Sequence, residues 1–90
     1  MAKYITRVRL QDAEQNDFIR FDSEMKKEAF VRINKSKPAK ENNVIAGEYN
    51  RQGNITMQDV TDAVYRAASR TGKKYSFTII REKAAFSNSN

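Results

Sequence analysis

The chain of 90 residues contains no cysteine and no histidine. Without cysteine, disulfide staples and thiolate zinc sites are excluded. Without histidine the chain lacks the usual general base, the commonest metal ligand and the side chain that titrates near neutral pH. There is no glycine-rich phosphate loop and no nucleophile triad. No apolar run approaches the ~20 residues needed to span a bilayer. Met1-Ala2-Lys3 leads directly into strand-like sequence, so no signal peptide is expected. These absences point to a cytoplasmic protein of bacterial or phage type, with no membrane partner and no built-in metal site.

What is present is charge. Seventeen basic and 11 acidic residues give a net charge of +6, unevenly spread. Residues 12–28 hold six acids against three bases, a local charge of −3, so the remainder of the chain carries +9. A polyanion would meet the rest of the molecule, and the acidic segment would face away. The competing reading is that the positive charge only maintains solubility.

The best-marked stretch is 53–81. Thr56 and Asp59 form a capping box, with Ile55 and Val60 at the staple positions around it. Val60, Ala63, Val64, Ala67 and Thr71 recur on one helical stripe, and Gly72 is a natural left-handed stop. Arg66 and Arg70 complement the negative end of the helix dipole. Tyr75 to Ile80, rich in β-branched and aromatic residues, reads as a strand.

The first half repeats this plan. Residues 3–10 alternate, Tyr4, Thr6, Val8 and Leu10 against Lys3, Ile5, Arg7 and Arg9, which predicts a strand with one buried face. Asp12, with Gln15 three residues on, is read as the cap of an amphipathic helix over about 13–28, carrying Phe18, Phe21 and Met25. Residues 30–34 predict a short strand with Val31 and Ile33 inward and Arg32 outward. Residues 35–43 hold the only proline and read as a mobile basic loop. Residues 44–51 predict the third strand. Its side is open: Ile45 and Tyr49 are suited to the helix side, and Gly47 suggests a bulge or a close approach. Residues 1–83 are expected to form one domain and 84–90 a disordered tail.

The order βαββαβ predicts an α+β, ferredoxin-like domain. Its four-stranded antiparallel sheet has order 4-1-3-2, with both helices on one face. The other face is open. Two uses of it compete. Ile5, Val44, Ala46 and Ile80 form a candidate interface through which a homodimer packs face to face. Alternatively, Arg7, Arg9 and Arg32, with Lys35, Lys37, Lys40, Lys73 and Lys74 from the loops, form a candidate nucleic-acid surface that holds phosphates without reading sequence. Stacking aromatics on the central strands, as in an RNA-recognition motif, are missing. Asp12 is the catalytic candidate, as a carboxylate at a strand end, and magnesium would enter only in a nuclease. Its competing role is the helix cap. Tyr49 beside Arg51 would offer acid/base chemistry unless it is simply packed.

Four stretches carry a family resemblance: YITRVRL (4–10), FVRI (30–33), GEYNRQGNIT (47–56) and AASRTGKKYSF (67–77). Together the chain resembles small bacterial proteins grouped with the GhoS-type endoribonuclease antitoxins of type V toxin–antitoxin systems. Ala29 departs from the family pattern, which has glycine before the phenylalanine, and the lysine-rich hairpin loop departs as well. The resemblance implies a ferredoxin-like fold and sequence-selective cleavage of a messenger RNA, and it transfers no catalytic residue. The expected function is an intracellular nucleic-acid-interacting protein, in its sharp form an antitoxin-like endoribonuclease acting on RNA. The alternative is a non-catalytic protein-binding module, such as a phage or mobile-element inhibitor of a host defence or nucleic-acid enzyme.

Overall fold

The computed structural model describes residues 2–33 and 40–82. Their order is β1 (Ala2–Gln11), α1 (Gln15–Lys27), β2 (Val31–Arg32), β3 (Lys40–Glu41), β4 (Val44–Gly53), α2 (Met57–Ser69) and β5 (Tyr75–Glu82). The fold is α+β. One antiparallel sheet has the order β2-β4-β1-β5, and β3 also pairs with β4. Lys35, Lys37, the proline of the loop and the tail 84–90 lie outside the described residues.

β1 is the spine. Its ten residues pair with β4 from Ala2–Gly53 to Gln11–Val44 and with β5 from Lys3–Glu82 to Leu10–Tyr75. Tyr4, Thr6, Val8 and Leu10 are buried beneath the helices, and Arg7 and Arg9 are exposed on the other side. The period of two in the sequence is thus a period of two in burial.

Helix α2 begins as its sequence dictates. The Asp59 amide donates to Thr56 Oγ1 and the Thr56 amide donates to Asp59 Oδ2, each at 3.1 Å. Ile55 packs on the core and Val60 is buried within it, which closes the staple. Gly72 ends the helix region at φ 73°, a left-handed conformation that favours glycine.

Helix α1 starts later than the spacing suggests. Asp12 does not cap it. Asp12 lies at φ 52°, and its amide donates to the Asn43 carbonyl at 2.8 Å, one rung beyond the paired end of β1. The ladder with β4 therefore captures Asp12, a residue type that tolerates the left-handed region. Ala13 then enters the core, and the Glu14 amide donates to Asp17 Oδ2 at 2.8 Å to open the helix.

β2 faces opposite to expectation. Phe30 is buried against Tyr49, with ring centroids 6.5 Å apart, so the inward position falls on residue 30. Alternation then sends Val31 out, beside Asn50, and Arg32 to the helix side, beside Tyr49. The aromatic ring outcompetes two smaller β-branched residues because it removes more apolar surface from water.

Of the loop expected over 35–43, the described part from residue 40 belongs to a hairpin. Lys40–Glu41 pairs with Val44–Ile45 across Asn42 (φ 53°) and Asn43 (φ 61°). Two central residues with positive φ make the tight turn whose twist suits a hairpin. In β4 the register runs without a bulge. Gly47 instead marks a close approach, since a Cβ there would stand 2.8 Å from Phe18 Cζ.

Phe18, Phe21 and Met25 of α1 join Val60, Ala63, Val64, Ala67 and Ala68 of α2 over the buried face of the sheet. Phe21 and Tyr49 meet edge to face at 5.7 Å. The helices are tied outside this core by Arg66–Glu28 and Arg70–Glu24, at 2.8 and 2.9 Å.

Candidate nucleic-acid interface

Register arranges the open face in rows. In the first, Ile5 stands between Asn50 and Ile80, with Val31 beyond Asn50. In the second, Arg7 stands between Glu48 and Thr78. In the third, Arg9 stands between Ala46 and Ser76. One step further the Gln11 amide donates to the Lys74 carbonyl at 2.8 Å, which aligns Lys74 with the same face.

Apolar and basic groups therefore separate along the strands. The first row is apolar at Val31, Ile5 and Ile80, and Ile80 is 65 % exposed. Ile33 adjoins it, its amide donating to the Glu48 carbonyl at 2.9 Å. The other end is basic. Arg7, Arg9, Ser76, Phe77 and Thr78 line an open depression of about 230 Å³. Arg7 is held by Glu48, donating from Nη2 at 2.8 Å and from Nε at 3.2 Å. Arg9 and Lys74 are exposed, and neither forms an ion pair among the described residues. The Arg9 guanidinium thus lines one shallow surface with the Glu48-bound Arg7 and the Ser76 and Thr78 hydroxyls, and Lys74 follows one row further along the same face, a donor set suited to phosphate oxygens.

Not all the expected basic residues are there. Arg32 lies on the helix side, with Nε 4.0 Å from Asp22 Oδ1 and its guanidinium 5.6 Å over the Phe18 ring. The reversed facing of β2 moves it. Lys73 is drawn to α1, 3.7 Å from Asp17. The backbone of Lys40 belongs to β3, and Lys35 and Lys37 lie outside the described residues.

The interface candidates divide in the same way. Ile5 and Ile80 are neighbours in the apolar row, whereas Ala46 borders Arg9, and Val44 pairs with Gln11 beyond it. Val31 and Ile33, 55 % and 47 % exposed, belong to the apolar end although sequence reasoning placed them inside. Phe30 was the available signal. An aromatic residue directly before an alternating pair can take the core position and reverse the pair.

The catalytic candidates fare differently. Tyr49 is fully buried and donates to Asp22 Oδ1 at 2.8 Å. Burial first, then the Asp22 bond, pushes its hydroxyl well above the ordinary tyrosine range, so it holds its proton as a structural donor. Asp12 is exposed at the β1 end. Among the described residues no group of three or more carboxylates gathers to hold a metal ion. No helix among them is long and apolar enough to cross a membrane.

The helix layer contrasts with the open face. Glu24 accepts from Arg70 and Lys27, and Glu28 accepts from Arg66. The bonds from Arg70 and Arg66 hold the two carboxyls below their ordinary range. Glu24 and Glu28 of the acidic segment are thus paired with arginines of α2. The chain matches no protein-family model, and no curated protein and no solved structure is significantly similar to it.

Proposed function

We propose that the chain is a small nucleic-acid-interacting protein that holds the phosphate backbone of single-stranded RNA on the open face of its sheet. The observation that carries this reading is the depression between Arg7, Arg9, Ser76 and Thr78, with Lys74 on the same face. Phosphate contacts of this kind position a strand without specifying its bases. The ferredoxin-like class and the 4-1-3-2 order, which numbers the strands with β3 left out, belong to the same proposal. Cleavage of that RNA, in an antitoxin-like endoribonuclease, rests on the resemblance of residues 4–77 alone.

A second reading is favoured by the opposite end of the face. Val31, Ile33 and Ile80 are exposed, and the Asn50 carboxamide oxygen between Val31 and Ile5 is buried without a hydrogen-bond donor. An exposed apolar row suits a protein partner, as in a phage or mobile-element inhibitor.

Titration of a labelled single-stranded RNA at 50 and 200 mM salt, with and without magnesium, separates the readings. The RNA reading predicts binding that weakens on the order of tenfold or more between the two salts. RNA shortened in magnesium supports the nuclease form. No binding at the lower salt refutes the RNA reading and leaves the apolar row as the functional surface.

A further inference from the structure

The outer edge of β5 is the longest unpaired strand edge among the described residues. The Gln11 amide bonds the Lys74 carbonyl, and this sets the phase of the ladder. In an antiparallel pair the bonded positions alternate. Ser76, Thr78, Ile80 and Glu82 therefore direct their backbone groups to β1. The amides and carbonyls of Tyr75, Phe77, Ile79 and Arg81 point away from the sheet, where no described strand receives them.

Edges of this length are usually blunted by proline, glycine bulges or charges. Residues 75–80 contain none of these. Apolar surface flanks the edge on both sides. Tyr65, 51 % exposed, lies against Phe77 with centroids 5.1 Å apart on the helix side, and Ile80 stands exposed on the open side.

We propose that this edge pairs with the β5 edge of a second copy of the chain, antiparallel about a two-fold axis at Thr78, to make one continuous sheet. The charges select both partner and register. With Thr78 opposite Thr78, Lys74 of each copy lies opposite Glu82 of the other, and Phe77 lies opposite Ile79. Every outward backbone group from 75 to 81 then meets its counterpart. Centring the axis one rung earlier, on Phe77, sets Lys74 opposite Ile80 and so leaves it without its acid. Centring it one rung later, on Ile79, leaves Lys74 without its acid. The edge is self-complementary in hydrogen bonds, charge and apolar surface, the requirement for a two-fold contact. Both open faces fall on the same side of the joined sheet, so the association leaves Arg7 and Arg9 uncovered. A face-to-face dimer would cover them. The inference stands whether or not RNA binds there.

The test combines light scattering on a sizing column with residue-resolved amide exchange on the full chain. The expected mass is twice 10.4 kDa. The amides of Phe77 and Ile79 are expected to exchange as slowly as those of Ser76 and Thr78. Lys74→Glu, which sets acid against acid twice, should weaken association by about tenfold. Adding Glu82→Lys should restore part of the loss, since it also removes the Lys3–Glu82 pair within each copy. A chain of single mass at 100 μM overturns the proposal. So does a dimer in which Phe77 and Ile79 exchange freely, or one indifferent to both substitutions, because the copies then meet elsewhere.

Discussion

The two faces of the sheet use the same side-chain chemistry to opposite ends. On the helix side, three carboxylates are committed to partners within the chain: Asp22 receives Tyr49 and Lys26, Glu24 receives Arg70 and Lys27, and Glu28 receives Arg66. On the open side, the Arg7–Glu48 and Lys3–Glu82 pairs are exposed, and Arg9 and Lys74 form no ion pair among the described residues. A basic chain thus spends its acids on internal ties and leaves uncompensated positive charge where no helix covers it. The difference separates residues that hold the fold from residues available to a partner.

The largest expected contrast lies in stability. Phe21 is fully buried among Phe18, Tyr49 and the helices. Phe21→Ala should cost about 3–5 kcal/mol through lost burial and the remaining cavity. Val31→Thr, on an exposed residue that sequence reasoning placed in the core, should change stability by no more than about 0.5 kcal/mol. Urea unfolding of both variants measures the difference. Equal losses would mean that β2 faces inward after all.

Tyr49 gives the next largest effect. Tyr49→Phe removes a hydrogen bond to the Asp22 carboxylate and should cost about 1.5–3 kcal/mol at pH 7. The hydroxyl also titrates above its ordinary value of 10.0. The folded chain then keeps a proton that the unfolded chain loses, so stability is complete below pH 10 and falls as pH rises beyond it. Tm followed into alkali should decline in the parent protein and decline less in Tyr49→Phe.

The smallest stability effect is at acid pH. Glu24 and Glu28 are held below their ordinary value of 4.5, through the bonds from Arg70 and Arg66 respectively. Between the lowered and the ordinary values the unfolded chain binds more protons. Their contribution is therefore complete above about pH 4.5 and is lost as pH falls through the folded values. The two carboxyls are half-buried but their arginine partners are open to solvent, so salt screens the effect in part. Arg66→Ala/Arg70→Ala should flatten this part of the pH profile, as thermal melts from pH 3 to 6 would show.

How much of this was legible before the structure depended on whether a signal was local. The Thr56–Asp59 box, the Gly72 stop and the alternation of β1 are fixed by neighbours in sequence, and they formed where the pattern put them. The cap of α1 was decided by a long-range bond from Asp12 to Asn43, which spacing alone does not contain. The facing of β2 was decided by competition for one core site, and Phe30 won it from Val31 and Ile33. That reversal carried Arg32 away from the open face. The hairpin at Asn42-Asn43 was readable in principle, since paired residues tolerant of positive φ mark tight turns. Its signal was lost in the lysine-rich stretch before it. The basic depression was half legible: alternation gave Arg7 and Arg9, and Lys74 was read as basic and in a loop, whereas Ser76 and Thr78 beside the arginines needed the register of β5.

Matched removal of charge from the two faces decides whether the open sheet itself holds the phosphates. Arg7→Ala/Arg9→Ala and Arg66→Ala/Arg70→Ala each subtract two positive charges, one pair from the open sheet and one from the helix layer. Binding of single-stranded RNA is measured against salt for both variants and the parent. If the open face is the phosphate surface, the first variant binds on the order of tenfold or more weakly, with a salt slope smaller by about 1.4, and the second follows the parent. Equal weakening in both would reduce the claim to net charge alone. Loss confined to the helix-layer variant would contradict it outright.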